Sequence, residues 1–322
     1  MRAIRVHEFG GPEVLRVEDL PDPQPGPGQV LIRLEAIGVN FIDIYFRTGT
    51  YPVRLPFVPG EEGAGTALAV GPGVTACRPG DRVGFTLGRG AYAEQAAVAE
   101  ARVVKLPDGI DAQTAAAAML QGITAHYLTH ATYPLRAGDW ALVHAAAGGV
   151  GLLLVQMAKR LGATVIATVG SQAKTALARE AGADHVIVYT EQDFEEETRR
   201  LTGGRGVDVL YDSVGKTTFE KGLNVLRPRG LFVLFGQASG PAPAIDPQVL
   251  NAKGSLFLTR PGFGHYTATR HELEQRTGDV FKMIQDGALK VRIDRRLPLA
   301  QAADAHRALE SRQTMGKVLL IP

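Results

Sequence analysis

Read as a pattern of apolar and polar positions, the chain changes character near residue 110. Before that point short apolar runs are broken by Gly and Pro. Residues 29–37 alternate in part, residues 66–70 follow a glycine-rich loop at 58–65, and residues 77–85 read as a turn and then a strand. Short strands at this spacing predict an antiparallel β domain. Residues 111–119 are alanine-rich and helical, and 124–128 continue the register. From residue 138 strands and helices alternate. Strands are expected at 140–144, 164–169, 185–188, 207–211 and 231–235, with helices at 150–161, 173–181, 194–201 and 216–226 between or after them. That alternation predicts right-handed βαβ units and a doubly wound parallel sheet. A helix around 278–286 and a strand at 318–321 close the chain. The expected division is 1–123, 124–262 and 263–322, with the last part returning to the first domain.

The first strand–helix turn of this series is His144-Ala-Ala-Ala-Gly-Gly-Val-Gly151. Glycine here lets backbone approach a pyrophosphate, and the helix start offers N–H groups and a positive dipole end. The fit to the glycine fingerprint is loose, through Ala146, Gly149 and Gly151, and a compact turn would also use these residues. The βαβ context favours a dinucleotide, held by Gly148, Gly149 and Val150. The end of the second strand then separates two cofactors. An NAD site places an acid there for the ribose 2′-hydroxyl. Here the segment is Val169-Gly-Ser-Gln-Ala-Lys174, with no acid. Ser171 can donate to a 2′-phosphate and Lys174 can supply charge, so NADPH is expected. The alternative for Lys174 is a solvated helix charge.

Composition narrows the partners. Lys+Arg number 35 and Asp+Glu 33, so the field is too balanced to call for nucleic acid or a membrane surface. One cysteine, Cys77, excludes an internal disulfide and a four-cysteine zinc site. No signal peptide or membrane-length apolar run is legible, and a cytoplasmic location is expected. The eight histidines form no ligand-spaced cluster. His126 and His130 are four apart on a helix, but no Glu follows His126 as in a zincin.

Several segments together carry a resemblance that covers nearly the whole chain. They are residues 38–45 (GVNFIDIY), 59–65 (PGEEGAG), 90–94 (GAYAE), 121–125 (QGITA), 145–151, 211–215 (YDSVG) and 315–318 (MGKV). The sequence resembles the zinc-free, zeta-crystallin-like quinone oxidoreductases of the medium-chain dehydrogenase/reductase superfamily. The resemblance implies an α/β two-domain fold, with a GroES-like antiparallel β domain, a Rossmann domain and a cofactor cleft between them. It implies that Asn40, Asp43 and Tyr45 lie near the nicotinamide end. Asn40 would bond a ribose hydroxyl or a substrate carbonyl, Tyr45 would donate to the developing oxyanion, and Tyr51 would line the quinone pocket. Both tyrosines also fit a core position with a wet tip. Thr124 would contact the cofactor near its nicotinamide half. Tyr189 would stack on adenine or reach the 2′-phosphate. Ser213, Phe235 and Gly236 end strands, and Phe257 and Arg260 return toward the cleft, with Arg260 a contact for substrate or carboxamide. Arg312 resembles a residue that approaches the cofactor phosphate. The resemblance also implies a homodimer paired through the strand near 254–259.

Zinc alcohol dehydrogenases of the same superfamily place a Cys ligand where this chain has Asn40, and a His where it has Glu61. No metal is therefore expected. The leading expectation is an NADPH-dependent quinone reductase, and the runner-up is a reductase of enones or other conjugated carbonyls. A third class is an NADPH-binding structural or RNA-binding role. The balanced charge and the lack of an aromatic-basic stripe argue against RNA.

Overall fold

The computed structural model describes all residues, 1–322. The chain divides into two compact units, Met1–Ile123 with Thr267–Pro322, and Thr124–Tyr266. In chain order the elements are β1 (Arg2–Arg5), β2 (Arg16–Asp19), β3 (Gln29–Val39), α1 (Phe41–Arg47), β4 (Glu62–Val70), β5 (Arg82–Thr86), β6 (Gln95–Ala99), β7 (Val103–Lys105) and α2 (Ala112–Tyr127). There follow β8 (Trp140–Val143), α3 (Gly149–Arg160), β9 (Thr164–Val169), α4 (Thr175–Glu180), β10 (His185–Val188), α5 (Phe194–Leu201), β11 (Val207–Asp212), α6 (Phe219–Asn224), β12 (Leu226–Leu234), α7 (Gln248–Ala252) and β13 (Phe257–Thr259). The last are α8 (Arg270–Gln285), β14 (Ile293–Pro298), α9 (Ala302–Glu310) and β15 (Lys317–Ile321). No helix is long and apolar enough to cross a membrane.

The first unit is organised by β3. Eleven residues long, it pairs with β4, β6 and β15, all antiparallel, in the order β14-β15-β3-β4-β5-β7. Ile32, Leu34, Ile37, Val83, Phe85, Val98, Val318 and Leu320 bury their side chains in its core. Each such side chain contributes about 1.5–3 kcal/mol. The expected loop at 58–65 ends earlier than its glycines suggest, because β4 already starts at Glu62. Gly65 serves the strand: a Cβ there would run into the Arg33 carbonyl, next to a bulge in β3. The two expected helical stretches around residue 120 are one helix, α2. Gly122 inside it makes room for Val280, whose Cγ1 would lie 2.8 Å from an added Cβ. The later helix starts at Arg270, eight residues before the expected segment, under a Thr269/Glu272 capping box.

The second unit is a six-stranded, all-parallel sheet in the order β10-β9-β8-β11-β12-β13. Leu142, Ile166, Leu210 and Phe232 fill its centre and Phe219 covers it from α6. Strand order reverses between β8 and β11, which is where open α/β sheets bind ligands at their carboxyl ends. The expected helix at 216–226 shortens to α6. Asp212 accepts from Val214 N, Gly215 N and Thr218 Oγ1, which holds the chain in a turn, and β12 already begins at Leu226.

Candidate functional site

In the second unit the predicted cofactor residues gather along the carboxyl edge of the sheet. Gly148 is the N-cap of α3 and has extended backbone. Gly149 and Val150 form the first turn of that helix. Gly151 is the glycine that packing requires: a Cβ would strike the Ala145 carbonyl and stand 2.7 Å from Ala146 Cα. Ala145 itself holds φ +52°, a conformation that costs a non-glycine residue about 1–3 kcal/mol. At the end of β9, Ser171 and Lys174 share one turn, closed by Lys174 N donating to Ser171 O at 3.1 Å. Tyr189, at the end of β10, lays its hydroxyl against Gly170, 2.7 Å from where a Cβ would be. Ser213 and Gly236 approach so closely that a Cβ at Gly236 would lie 2.6 Å from Ser213 O. Phe235 N donates to Asp212 O at 2.8 Å. Thr124 is buried in α2. Glycine-lined backbone at a switch point, a helix start and a polar turn free of acids fit a dinucleotide.

Two predicted residues lie on or just after β13. Arg260 donates to Leu234 O and Gly236 O, both at 3.1 Å, and to Gln237 Oε1 at 3.3 Å. Its guanidinium thus clamps the end of β12. Phe257 pairs with Leu231 of β12 at the start of β13. It is 61% exposed on β13, the edge strand, because nothing in the chain covers that edge.

In the first unit the predicted residues cluster on and after α1. Tyr45 and Tyr51 stand with ring centroids 5.2 Å apart, and Tyr51 N donates to Tyr45 O. Phe46 meets Tyr51 edge-on at 5.8 Å, and Arg89 stacks over Phe46 at 4.3 Å. Arg89 also donates to Glu61 Oε1 at 3.1 Å. Burial raises the Glu61 carboxyl while Arg89 lowers it. The result is a half-buried aromatic group with two phenols and a guanidinium. Arg312, in the left-handed region at φ +58°, follows the C-terminus of α9.

Asn40 and Asp43 lie beneath α1, in a buried network that sequence reasoning missed. The Asn40 amide donates to Gly38 O and Glu62 Oε2, and its oxygen accepts from Lys317 Nζ and Gln121 Nε2. All four of its hydrogen-bonding positions are used within the protein. Lys317 and Glu62, 1% and 0% exposed, form an ion pair at 2.5 Å, and Glu62 Oε1 accepts from Leu120 N. Asp43 is wholly buried. It closes a capping box at the start of α1 by accepting from Asn40 N at 2.8 Å. Tyr92 Oη also donates to it, at 3.2 Å. Desolvation foremost, then the charge of Glu61, raises its carboxyl to about 7, against bonds from Asn40 and Tyr92 and the charge of Lys317. Behind Tyr92 stands His306, at 2.9 Å, and behind that Arg47, at 3.1 Å. Arg47 is paired with Glu310. Burial, assisted by Arg47, lowers His306 to about 3. One signal for His306 was present. With Ala302, Ala305 and Leu309 it falls on the apolar face of α9 at i, i+3, i+4 and i+7.

A β unit built around one long strand and a parallel sheet with a dinucleotide turn at its switch point define the class: a two-domain dehydrogenase or reductase of the medium-chain type. A model of the alcohol dehydrogenase GroES-like domain matches residues 26–108, and a model described as zinc-binding dehydrogenase matches residues 149–275. The chain is 46% identical to quinone oxidoreductase of Pseudomonas aeruginosa, covering 100% of this chain and 99% of that protein. It is 43% identical to 2-haloacrylate reductase of a Burkholderia species, over 98% of each. The crystal structure of Escherichia coli quinone oxidoreductase complexed with NADPH superposes with a TM-score of 0.98 at 42% identity, covering 100% of both chains. The chain belongs to the quinone oxidoreductase family. The zinc in the second model's description finds no fitting residues here. No three His, Cys, Asp or Glu side chains converge to hold a metal, and the Lys317 ammonium bridges Asn40 and Glu62.

Proposed function

We propose that the protein is a zinc-independent NADPH:quinone reductase. One observation carries this reading: the likeness to an NADPH-bound quinone oxidoreductase runs through the entire chain. Gly148, Gly149, Val150 and Ser213 hold the cofactor backbone, while Ser171, Lys174 and Tyr189 take its adenosine end. When bound, NADPH supplies the hydride. Tyr45 donates a hydrogen bond to the quinone oxygen that gains charge, and a proton taken up there completes the hydroquinone. Tyr51 and Phe46 flank the ring, and Arg89 adds positive charge beside them. The quinone ring spreads the developing charge, so a hydrogen-bond donor replaces the Lewis acid that a simple ketone requires.

A second reading, reduction of an activated C=C beside a carbonyl, is supported by the likeness to 2-haloacrylate reductase. The same donor would then serve the enolate oxygen. We further propose a homodimer. Phe257 and Leu258, 61% and 36% exposed on β13, would pair with the same edge of a second copy. The site of action we propose is the cytoplasm, where the lone buried thiol of Cys77 stays reduced. The test is oxidation of NADPH and NADH with ortho- and para-quinones and with 2-haloacrylate, with and without chelator. Chelator-insensitive quinone turnover that prefers NADPH is expected. Turnover with 2-haloacrylate alone moves the assignment to the second reading, and preference for NADH removes the 2′-phosphate argument.

A further inference from the structure

We propose that Tyr92 and His306 are positioning residues: with Arg47 they form a one-way hydrogen-bond relay that seats the Asp43 carboxyl under α1 and so fixes the helix face carrying Tyr45. The use to which Tyr45 is put rests on the reductase reading; the relay does not.

The direction follows from proton counting. The Arg47 guanidinium has only donors, so His306 Nδ1, 3.1 Å from Nη1, must accept. A neutral imidazole then carries its proton on Nε2, which donates to Tyr92 Oη at 2.9 Å. The single phenol proton goes on to Asp43 Oδ2 at 3.2 Å. That oxygen also accepts the Asn40 N–H that opens α1. Protonating His306 would put a second N–H against the guanidinium, and its pKa near 3 keeps that state away. The charged groups around the carboxyl are Glu61 before β4, which raises it, and Lys317 from β15, which lowers it; Lys317 is itself paired with Glu62, and Arg47 with Glu310. Asp43 Oδ1 has no partner, so the carboxyl is held through Oδ2 alone. Arg47 is the last residue of α1 and Asp43 its third, so the relay fastens the short helix at both ends from α9. Asp43 faces inward. Tyr45, two residues on, lies about 200° round the helix on the half-buried side.

Tyr92→Phe tests this with the loss of one oxygen and no change in ring volume. Three readouts are needed: the titration of the carbon-13-labelled Asp43 carboxyl, the pH profile of quinone kcat/KM, and thermal unfolding. The expected result is an Asp43 titration displaced to higher pH, because a bond to the carboxylate is gone. The acid limb of kcat/KM then moves upward, with activity at least threefold down at pH 7 and recovered near pH 9. His306→Gln, whose amide can both accept and donate, should retain more activity than His306→Leu. An Asp43 titration and pH profile unchanged in Tyr92→Phe would overturn the proposal, and so would equal activity in the two His306 variants. A wild type silent toward every quinone and conjugated carbonyl takes down the reductase reading and the positioning role in turnover. The carboxyl titration still decides whether the relay exists.

Discussion

The two regions that carry the candidate chemistry are built on opposite principles. At the carboxyl edge of the parallel sheet, backbone does the work. The residues that matter are glycines 148, 151 and 236, and what they supply is the absence of a side chain where strands and helix converge. Under α1 the side chains do the work. Asn40, Asp43, Arg47, Glu62, Tyr92, His306 and Lys317 are all buried and bonded to one another or to backbone. A backbone site is rigid because its geometry is over-determined locally. A buried ionic network is rigid only while every partner is present, because each unpaired member bears its full desolvation cost. The first kind fails by steric intrusion and the second by deletion.

That contrast can be broken most sharply at Lys317. Lys317→Met leaves Glu62 charged, buried and short of its cation, and should cost about 3–5 kcal/mol. Adding Glu62→Gln should restore part of the loss, which a thermal-unfolding double-mutant cycle reads. A cycle with additive effects would deny the network. Intrusion comes next. Gly151→Ala should cost roughly 1–3 kcal/mol and weaken NADPH binding at least tenfold by calorimetry. Gly148→Ala, whose Cβ would come no nearer than 3.2 Å to Ala145 O, should be the milder of the two. Equal effects would mean that the steric reading of this turn is wrong. For the chemistry, Tyr45→Phe should lower quinone kcat about tenfold, some 1.4 kcal/mol of barrier, with the KM for NADPH unmoved. Lys174→Ala should raise the KM for NADPH about fivefold while leaving NADH alone; a uniform effect on both would make Lys174 a plain surface charge.

In the wild type the smallest effect is on pH dependence, and its sign is distinctive. Asp43 has a folded value near 7 and an unfolded one near 3.9, so its contribution is present at low pH and lost as pH rises through 7. His306 has a folded value near 3 and an unfolded one near 6.5, so its contribution is present at high pH and lost as pH falls through that window. Between about pH 4 and 6.5 the two slopes oppose each other. The wild type should therefore show little change in Tm from this pair, whereas His306→Gln should become relatively more stable as pH falls from 6.5 to 4. A variant curve parallel to wild type would remove His306 from the balance.

The backbone region was largely legible in the sequence because its signals are local. Alternating strands and helices, a glycine turn after the first strand, and a polar turn without acids after the second all lie within about 30 residues. The β unit was legible as a class, but its register was not: β4 absorbs four residues of an expected loop, since bulges in β3 decide where glycine is needed. The network was illegible for a different reason. Glu62 meets Lys317 across 255 residues and Arg47 meets His306 across 259, and no periodicity links positions so far apart. Resemblance brought Asn40 and Asp43 into view as ligand contacts, whereas their partners within the protein are visible only once the fold is known. Phe257 shows a similar limit: sequence marks a strand but not which strand ends at an open edge.

The placement of β15 beside β3 has a consequence for the order in which the protein is made. Residues 124–266 emerge from the ribosome as one uninterrupted stretch that contains its whole sheet. The other unit is begun first and finished last, since β3 waits for the antiparallel neighbour and the buried ammonium that β15 brings. Domains generally fold as units during synthesis. The nucleotide unit is thus positioned to mature while the earlier segment is still incomplete, with Asn40 and Glu62 held in reserve for a lysine not yet translated.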